Sequence, residues 1–329
     1  MKCNVHSYSV KTRFLILSDT HGIEFGPEDR PSQHVDVAIH CGDLTEESKL
    51  DEYLASIRLL KDLHAPLKLV IAGNHDFTID IPAFREKVAE VRPSLDPDLV
   101  KKVYGDHGEA RKILEDARSA GVIFLDEGSH RFILENGAIL NVYASPWTPA
   151  LGDWGFQYPP TLGHSFEISK GVDLIMTHGP PKGIMDYTEG KKRAGCPDLF
   201  KAVARARPRL HCYGHIHEGW GAKLVTWRDQ ITETPSHFTD IDNEKSVVVE
   251  NLSGFRQSKF DSPESKEQKS RKIEHYRREK CCATSHRTGD ANYLDFGKQT
   301  LFVNASIQGT EDYPLQLPWL VELELRRAT

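Results

Sequence analysis

Phe14-Leu15-Ile16-Leu17-Ser18-Asp19-Thr20-His21-Gly22 is the stretch of this 329-residue chain from which the fold can be read. Four apolar residues in succession, too few for a helix, read as a buried strand. The run ends in a turn that carries a carboxylate and an imidazole two residues apart. The pattern recurs: apolar residues 35–39 lead into Gly42-Asp43, 67–71 into Gly73-Asn74-His75-Asp76, 172–176 into Thr177-His178-Gly179, and 209–213 into Gly214-His215-Ile216-His217. Each repeat sets polar side chains just past a strand end, where open α/β sheets gather their ligands.

Further strands are expected at 122–125, 131–134 and 139–144, with Asn136-Gly137 as a two-residue hairpin turn between the last two. Helical spacing marks 46–63, 109–120 and 197–206, the last with Pro197 in its first turn. Alternating strands and helices indicate an α/β class. From 229 to 295, and above all in 256–287, charged residues, serine and glutamine displace apolar ones, so a flexible charged insertion is expected over about 229–299. Apolar runs at 300–307 and 319–325 return as strands. The expectation is one domain over 1–329, with its core at about 13–228 and 300–326 and no internal repeat.

Hydrophobic residues make up 39% and charged residues 27%, as in ordinary water-soluble proteins. A net charge of −6 gives no global attraction to nucleic acid or anionic membrane, so long nucleic acid is not an expected partner and a phosphate-bearing substrate must be captured locally. No apolar run nears the roughly 18 residues of a membrane span, and the first residues lack a signal peptide's apolar segment. The expected location is cytoplasmic. Six cysteines without CxxC spacing read as reduced thiols.

The strand-end residues offer carboxylate, imidazole and carboxamide donors and no thiolate. Such a set suits Mn²⁺ first, with Fe or Zn²⁺ as alternatives. Two close cations need a shared ligand, and Asp43 is the candidate for it; Asp19 and His21 converge on one ion, and Asn74 serves the other. Singly, each residue is ordinary turn chemistry. The ordered set carries the reading.

The series SDTHG, CGDL, AGNHD, THGPP and YGHIH resembles the calcineurin-like metallophosphoesterase superfamily, whose signature runs DxH, GD, GNH[DE], H and GHxH in that order. The likeness covers about 14–227, with 300–325 closing the sheet. Ser145-Pro146-Trp147, Asp153-Trp154-Gly155-Phe156 and Phe302-Val303-Asn304-Ala305-Ser306 resemble its metallophosphoesterase-domain-containing branch, linked to cyclic nucleotides. The resemblance implies a four-layer αββα sandwich of two mixed β-sheets flanked by helices. It implies Asp19, His21, Asp43 and His217 around one metal and Asp43, Asn74, His178 and His215 around the other. His75 would contact the phosphate or protonate the leaving oxygen, oriented by Asp76. Two cations about 3.5 to 4 Å apart would activate a bridging water and stabilise in-line displacement. The expected substrate is a small phosphodiester, with nucleotides and cyclic nucleotides among the candidates. A phosphomonoesterase or protein phosphatase with the same site, or a non-catalytic scaffold on this fold, are the alternatives.

Other residues are read more plainly. Trp147 and Trp154 are expected to pack under a loop rather than stack on a base. Lys191, Lys192 and Arg193 read as a solvated charge run, and 266–280 as an unstructured linker.

Overall fold

The computed structural model of the chain describes residues 9–309 and 316–328, which leaves Cys3 outside. Its strands, in chain order, are β1 (Ser9–Leu17), β2 (Val37–His40), β3 (Leu67–Val70), β4 (Val122–Phe124), β5 (Gly128–Ile133), β6 (Ile139–Ser145), β7 (Thr148–Pro149), β8 (Gln157–Tyr158), β9 (Leu174–Thr177), β10 (Leu210–Tyr213), β11 (Gly221–Trp227), β12 (Ile241–Asn251), β13 (Cys282–Ser285), β14 (Gln299–Asn304) and β15 (Trp319–Arg326). The helices are α1 (Leu50–Lys61), α2 (Ile81–Glu90), α3 (Pro97–Tyr104), α4 (Glu109–Asp116), α5 (Pro197–Ala206) and α6 (Pro263–Glu279).

Period-two alternation builds the layers. In β1, Phe14 and Ile16 join Val37, Ile39, Leu140, Val142, Leu174 and Leu301 in one core, while Leu15 and Leu17 pack with Tyr53, Ile57 and Leu60 of α1 and Leu114 of α4. The second sheet repeats this: Tyr143, Ile175, Tyr213 and Phe302 on its outer face meet Leu199, Phe200 and Val203 of α5. Helices, sheet, sheet and helix therefore stack in the expected αββα order. One sheet has six strands in the order β13-β15-β1-β2-β3-β4, the other seven in the order β12-β11-β14-β10-β9-β6-β5. Both are mixed: β1 through β4 run parallel and β15 opposes β1, while β14, β10, β9 and β6 run parallel and β5 and β11 oppose them.

The sheets meet where their parallel strands end. Ser18 bridges to Ser306, and the Ile307 N–H reaches the Ser18 carbonyl at 3.0 Å. Ala305 N–H donates to the Tyr213 carbonyl at 2.8 Å. Every candidate ligand sits at this seam.

Three local expectations are corrected. The helix expected from residue 46 starts at Leu50, because Ser48 takes a left-handed φ of 61° and the Glu52 carboxylate accepts the Glu47 and Lys49 N–H groups at 3.1 and 2.9 Å. Helices α2 and α3 were not expected, though each opens with a capping aspartate, Asp80 or Asp96, followed by a proline in the first turn. The region 229–299 carries β12, α6 and β13 rather than a structureless run. Ser262 caps α6 and Pro263 begins it. Lys272 then pairs with Glu250 at 2.7 Å, Lys269 with Asp261 at 2.9 Å, and Tyr276 packs on Phe255. Ion pairs to a neighbouring strand and loop stand in for the apolar stripe that 266–280 lacks.

Candidate metal centre

The turns after β1, β2, β3, β9 and β10 converge because the backbone bends sharply there. Asp19, His21, Asp43 and His215 all have φ between 47° and 67°, a left-handed conformation that non-glycine residues rarely take. Such strain clusters where a site over-determines the chain. Backbone bonds hold the turns together: Asp19 N–H to Gly42 O at 2.9 Å, His21 N–H to Asp43 O at 3.1 Å, and Gly214 N–H to His178 O at 2.9 Å.

All seven expected ligands come together. Asp19, His21 and His217 form one group whose ligand atoms lie within 4.8 Å of one another, and Asp43, His178 and His215 form a second. Asp43 stands between them, with Oδ2 3.2 Å from His178 Nε2 and 4.0 Å from His21 Nε2. Asn74 Oδ1 lies 2.8 Å from the same His178 nitrogen. A third group joins His21, Asp43 and His75.

The supports explain this geometry. His178 Nδ1 donates to the Cys41 carbonyl at 2.9 Å, which leaves Nε2 to face the centre. His215 N–H donates to the Asp19 carboxylate at 3.0 Å, and His75 N–H to Asp43 Oδ1 at 2.8 Å. Two buried histidines brace the turns from beneath. His40 accepts Gly42 N–H on Nδ1 at 3.3 Å and so donates from Nε2 to Thr20 Oγ1 at 3.0 Å. His211 Nε2 donates to Thr177 Oγ1 at 2.9 Å, whose own proton goes to Gly179 O. Burial pushes both rings down to about 3, so they stay neutral.

Charge in the centre is concentrated. Burial would raise the Asp19 and Asp43 carboxyls, but His217 beside the first and His178 beside the second hold both well below the usual carboxylate range. Burial pulls His215 down to about 4. His178 goes the other way, to about 9, because Asp43 outweighs its burial. Buried His21 makes no aligned hydrogen bond from either ring nitrogen: Nδ1 meets the Glu46 carboxylate at 2.9 Å as an ion-pair contact, and Nε2 is left facing Asp43 at 4.0 Å. Unspent imidazole nitrogens beside anionic carboxylates are what divalent cations require of a site, so the residues fit such ions.

His75 and Asp76 do not pair. The His75 ring gives Nδ1 to the Glu46 carbonyl at 2.6 Å and stacks on Trp154, with centroids 4.1 Å apart. Asp76 is fully buried and turned inward, accepting Leu44 N–H and Thr45 N–H at 3.1 Å, Thr45 Oγ1 at 2.8 Å and Gly73 N–H at 2.8 Å. Asp76 therefore braces the loops, and Glu46 with Trp154 orients His75. Sequence reading missed Glu46, although its place three residues after Asp43 was visible.

Trp154 lines the cleft, an open space of about 1010 Å³, with His75, Glu46, Glu189, Glu218 and Gln308. Trp147 instead packs behind it, stacked on His164. Arg193 is no part of a solvated run: it pairs with buried Asp186 at 2.6 Å and lies over Tyr187. Asn304 holds the GHIH turn by donating to Ile216 O at 2.9 Å.

Human metallophosphoesterase domain-containing protein 1 and its mouse counterpart are each 36% identical to this chain over 221 residues, covering 64% of it. The chain spans 62% of the length of those relatives. Among solved structures, TT1561 of Thermus thermophilus is 14% identical with a TM-score of 0.42, covering 65% of this chain and 84% of that one. A family model, calcineurin-like phosphoesterase, matches residues 12–219, a span that includes every turn described above, and the chain belongs to that family.

Proposed function

We propose that the chain is a metal-dependent hydrolase of small phosphodiesters, with nucleotide and cyclic nucleotide esters as the leading class. The observation that carries this is the position of Asp43 between two imidazole groups, since a shared carboxylate is what a pair of neighbouring cations needs. Asp19, His21, Asp43 and His217 would hold one ion, and Asp43, Asn74, His178 and His215 the other, Mn²⁺ being the first choice for this oxygen and nitrogen set. When bound, the ions supply Lewis-acid polarisation of the phosphoryl group and activation of water.

The chain's own residues do the rest. A water molecule gives up a proton to solvent and its oxygen forms the new bond to phosphorus while the bond to the leaving oxygen breaks. His75 gives its proton to that oxygen and recovers one from solvent, a contribution of about 10²- to 10⁴-fold. An alkyl ester gains most, because its alkoxide is a poor leaving group. The acidic rim of Glu46, Glu189 and Glu218 favours a substrate of low negative charge over a polyanion. Among the described residues no helix is long and apolar enough to cross a membrane.

The test is hydrolysis of bis-p-nitrophenyl phosphate with Mn²⁺, abolished by Asp43→Asn and lowered about a hundredfold or more by His75→Ala. Under one ion per chain in saturating Mn²⁺, with no turnover, would instead support a non-catalytic scaffold.

A further inference from the structure

Past His75 the structure continues in a direction that phosphate chemistry alone does not use. Trp154 covers the face of the His75 ring at 4.1 Å, with 29° between the planes. Its remaining ring contacts lead out of the cleft: Phe77 lies 6.5 Å from it, and Phe84 and Tyr104 lie 6.3 and 6.1 Å from Phe77. These last three rings, with Val88, Val91 and Leu95, line a groove of about 800 Å³ open to solvent. Val91 and Leu95 are 38% and 39% exposed there, apolar side chains that the fold leaves uncovered. Lys87 Nζ sits 5.0 Å from the centroids of both Phe77 and Trp154 and ties the rings across the junction.

Position gives the groove a role. His21 meets the His75 ring at a right angle with centroids 4.7 Å apart, while Trp154 takes a face of it. Phe77, two residues after His75 in the chain, lines the groove and meets Trp154, which lines the cleft beside His75. Resting on the phosphoesterase reading above, we infer that this groove is the leaving-group subsite, and that the preferred leaving alcohol bears a flat aromatic ring. A ring seated among Phe77, Tyr104 and the apolar wall gains both stacking and burial, worth roughly tenfold.

The test compares methyl 2-phenylethyl phosphate with methyl propyl phosphate, whose larger alcohols have nearly equal acidity, by release of those alcohols in Mn²⁺. In parallel, 2-phenylethyl phosphate and propyl phosphate are titrated calorimetrically as monoesters, which needs no turnover. The phenylethyl compounds should be favoured about tenfold in kcat/KM and in affinity. Val91→Asp and Leu95→Asp, each on the exposed wall and away from His75, should remove that preference and leave the propyl compounds unchanged, with unaltered melting temperatures. Equal handling of the two esters, or a preference that survives both substitutions, overturns the subsite while hydrolysis stands. Neither turnover nor binding of any of the four overturns the phosphoesterase reading as well.

Discussion

The Glu46 carboxylate lies 2.9 Å from Nδ1 of His21, while its backbone carbonyl accepts Nδ1 of His75 at 2.6 Å. One residue thus faces a candidate ligand with its side chain and the candidate acid with its main chain. The two roles separate under mutation. Glu46→Ala keeps the carbonyl and should weaken Mn²⁺ binding by about 10- to 100-fold, while kcat at saturating metal stays within a few-fold. Metal titration followed by kinetics at saturation measures both. A collapse of kcat with unchanged metal affinity would reverse the assignment.

Asp76 makes a contrasting prediction. Burial, then the charge of Asp43, pushes its carboxyl up to about 7, against four donors that favour the anion. Asp76→Asn presents an amide NH₂ to N–H groups that need an acceptor, which should cost about 2 to 3 kcal/mol. His75→Ala, at a half-buried ring, should cost under about 1 kcal/mol and act on kcat alone. Urea denaturation of the two variants, set beside their kinetics, separates a brace from an acid. Equal stability losses would restore the expected pairing of the two side chains.

The contrast between these neighbours shows what a sequence can and cannot reveal. Asp19, Asp43, His178 and His215 were legible because each lies one to three residues past a short apolar strand, and the strand fixes where the turn that follows it begins. The direction of the Asp76 carboxylate was not, since it depends on the single turn through Gly73 and on donors from Leu44 and Thr45, far back along the chain. Helix α6 escaped for another reason: its inward side is lysine and tyrosine, so hydrophobic periodicity is silent while Glu250 and Asp261 provide the partners. Its capping Ser262-Pro263 was the available signal.

Close packing of glycine against the candidate ligands gives a third prediction. A Cβ at Gly73 would stand 2.2 Å from Asp43 Oδ1 and 2.4 Å from Asp43 N, and one at Gly214 would stand 1.9 Å from Asp19 Oδ2. None of these atoms can retreat without moving a ligand. Gly73→Ala and Gly214→Ala should each lose about 1 to 3 kcal/mol and bind metal poorly. Gly26→Ala meets only an ordinary contact at 3.6 Å and should stay within about 0.5 kcal/mol of wild type. Thermal melts with and without Mn²⁺ read both effects.

The last prediction concerns pH. Burial alone would lower His178, but the Asp43 carboxylate 3.2 Å from Nε2 holds it at about 9, above the ordinary 6.5. Below pH 6.5 folded and unfolded chains both carry this proton, so the pair's contribution to metal-free stability is fully present. As pH rises toward about 9 the unfolded chain has already released the proton and the folded chain still pays to keep it, so that contribution drains away. A cation needs the Nε2 lone pair and must displace the same proton. Mn²⁺ affinity should therefore climb about tenfold per pH unit between about pH 7 and 9 and level off above, just where the metal-free protein loses stability. Calorimetric titration in buffers of different ionisation enthalpy should find about one proton released near neutral pH. A flat affinity with no proton release would mean that Asp43 and His178 do not form the pair that Mn²⁺ must break.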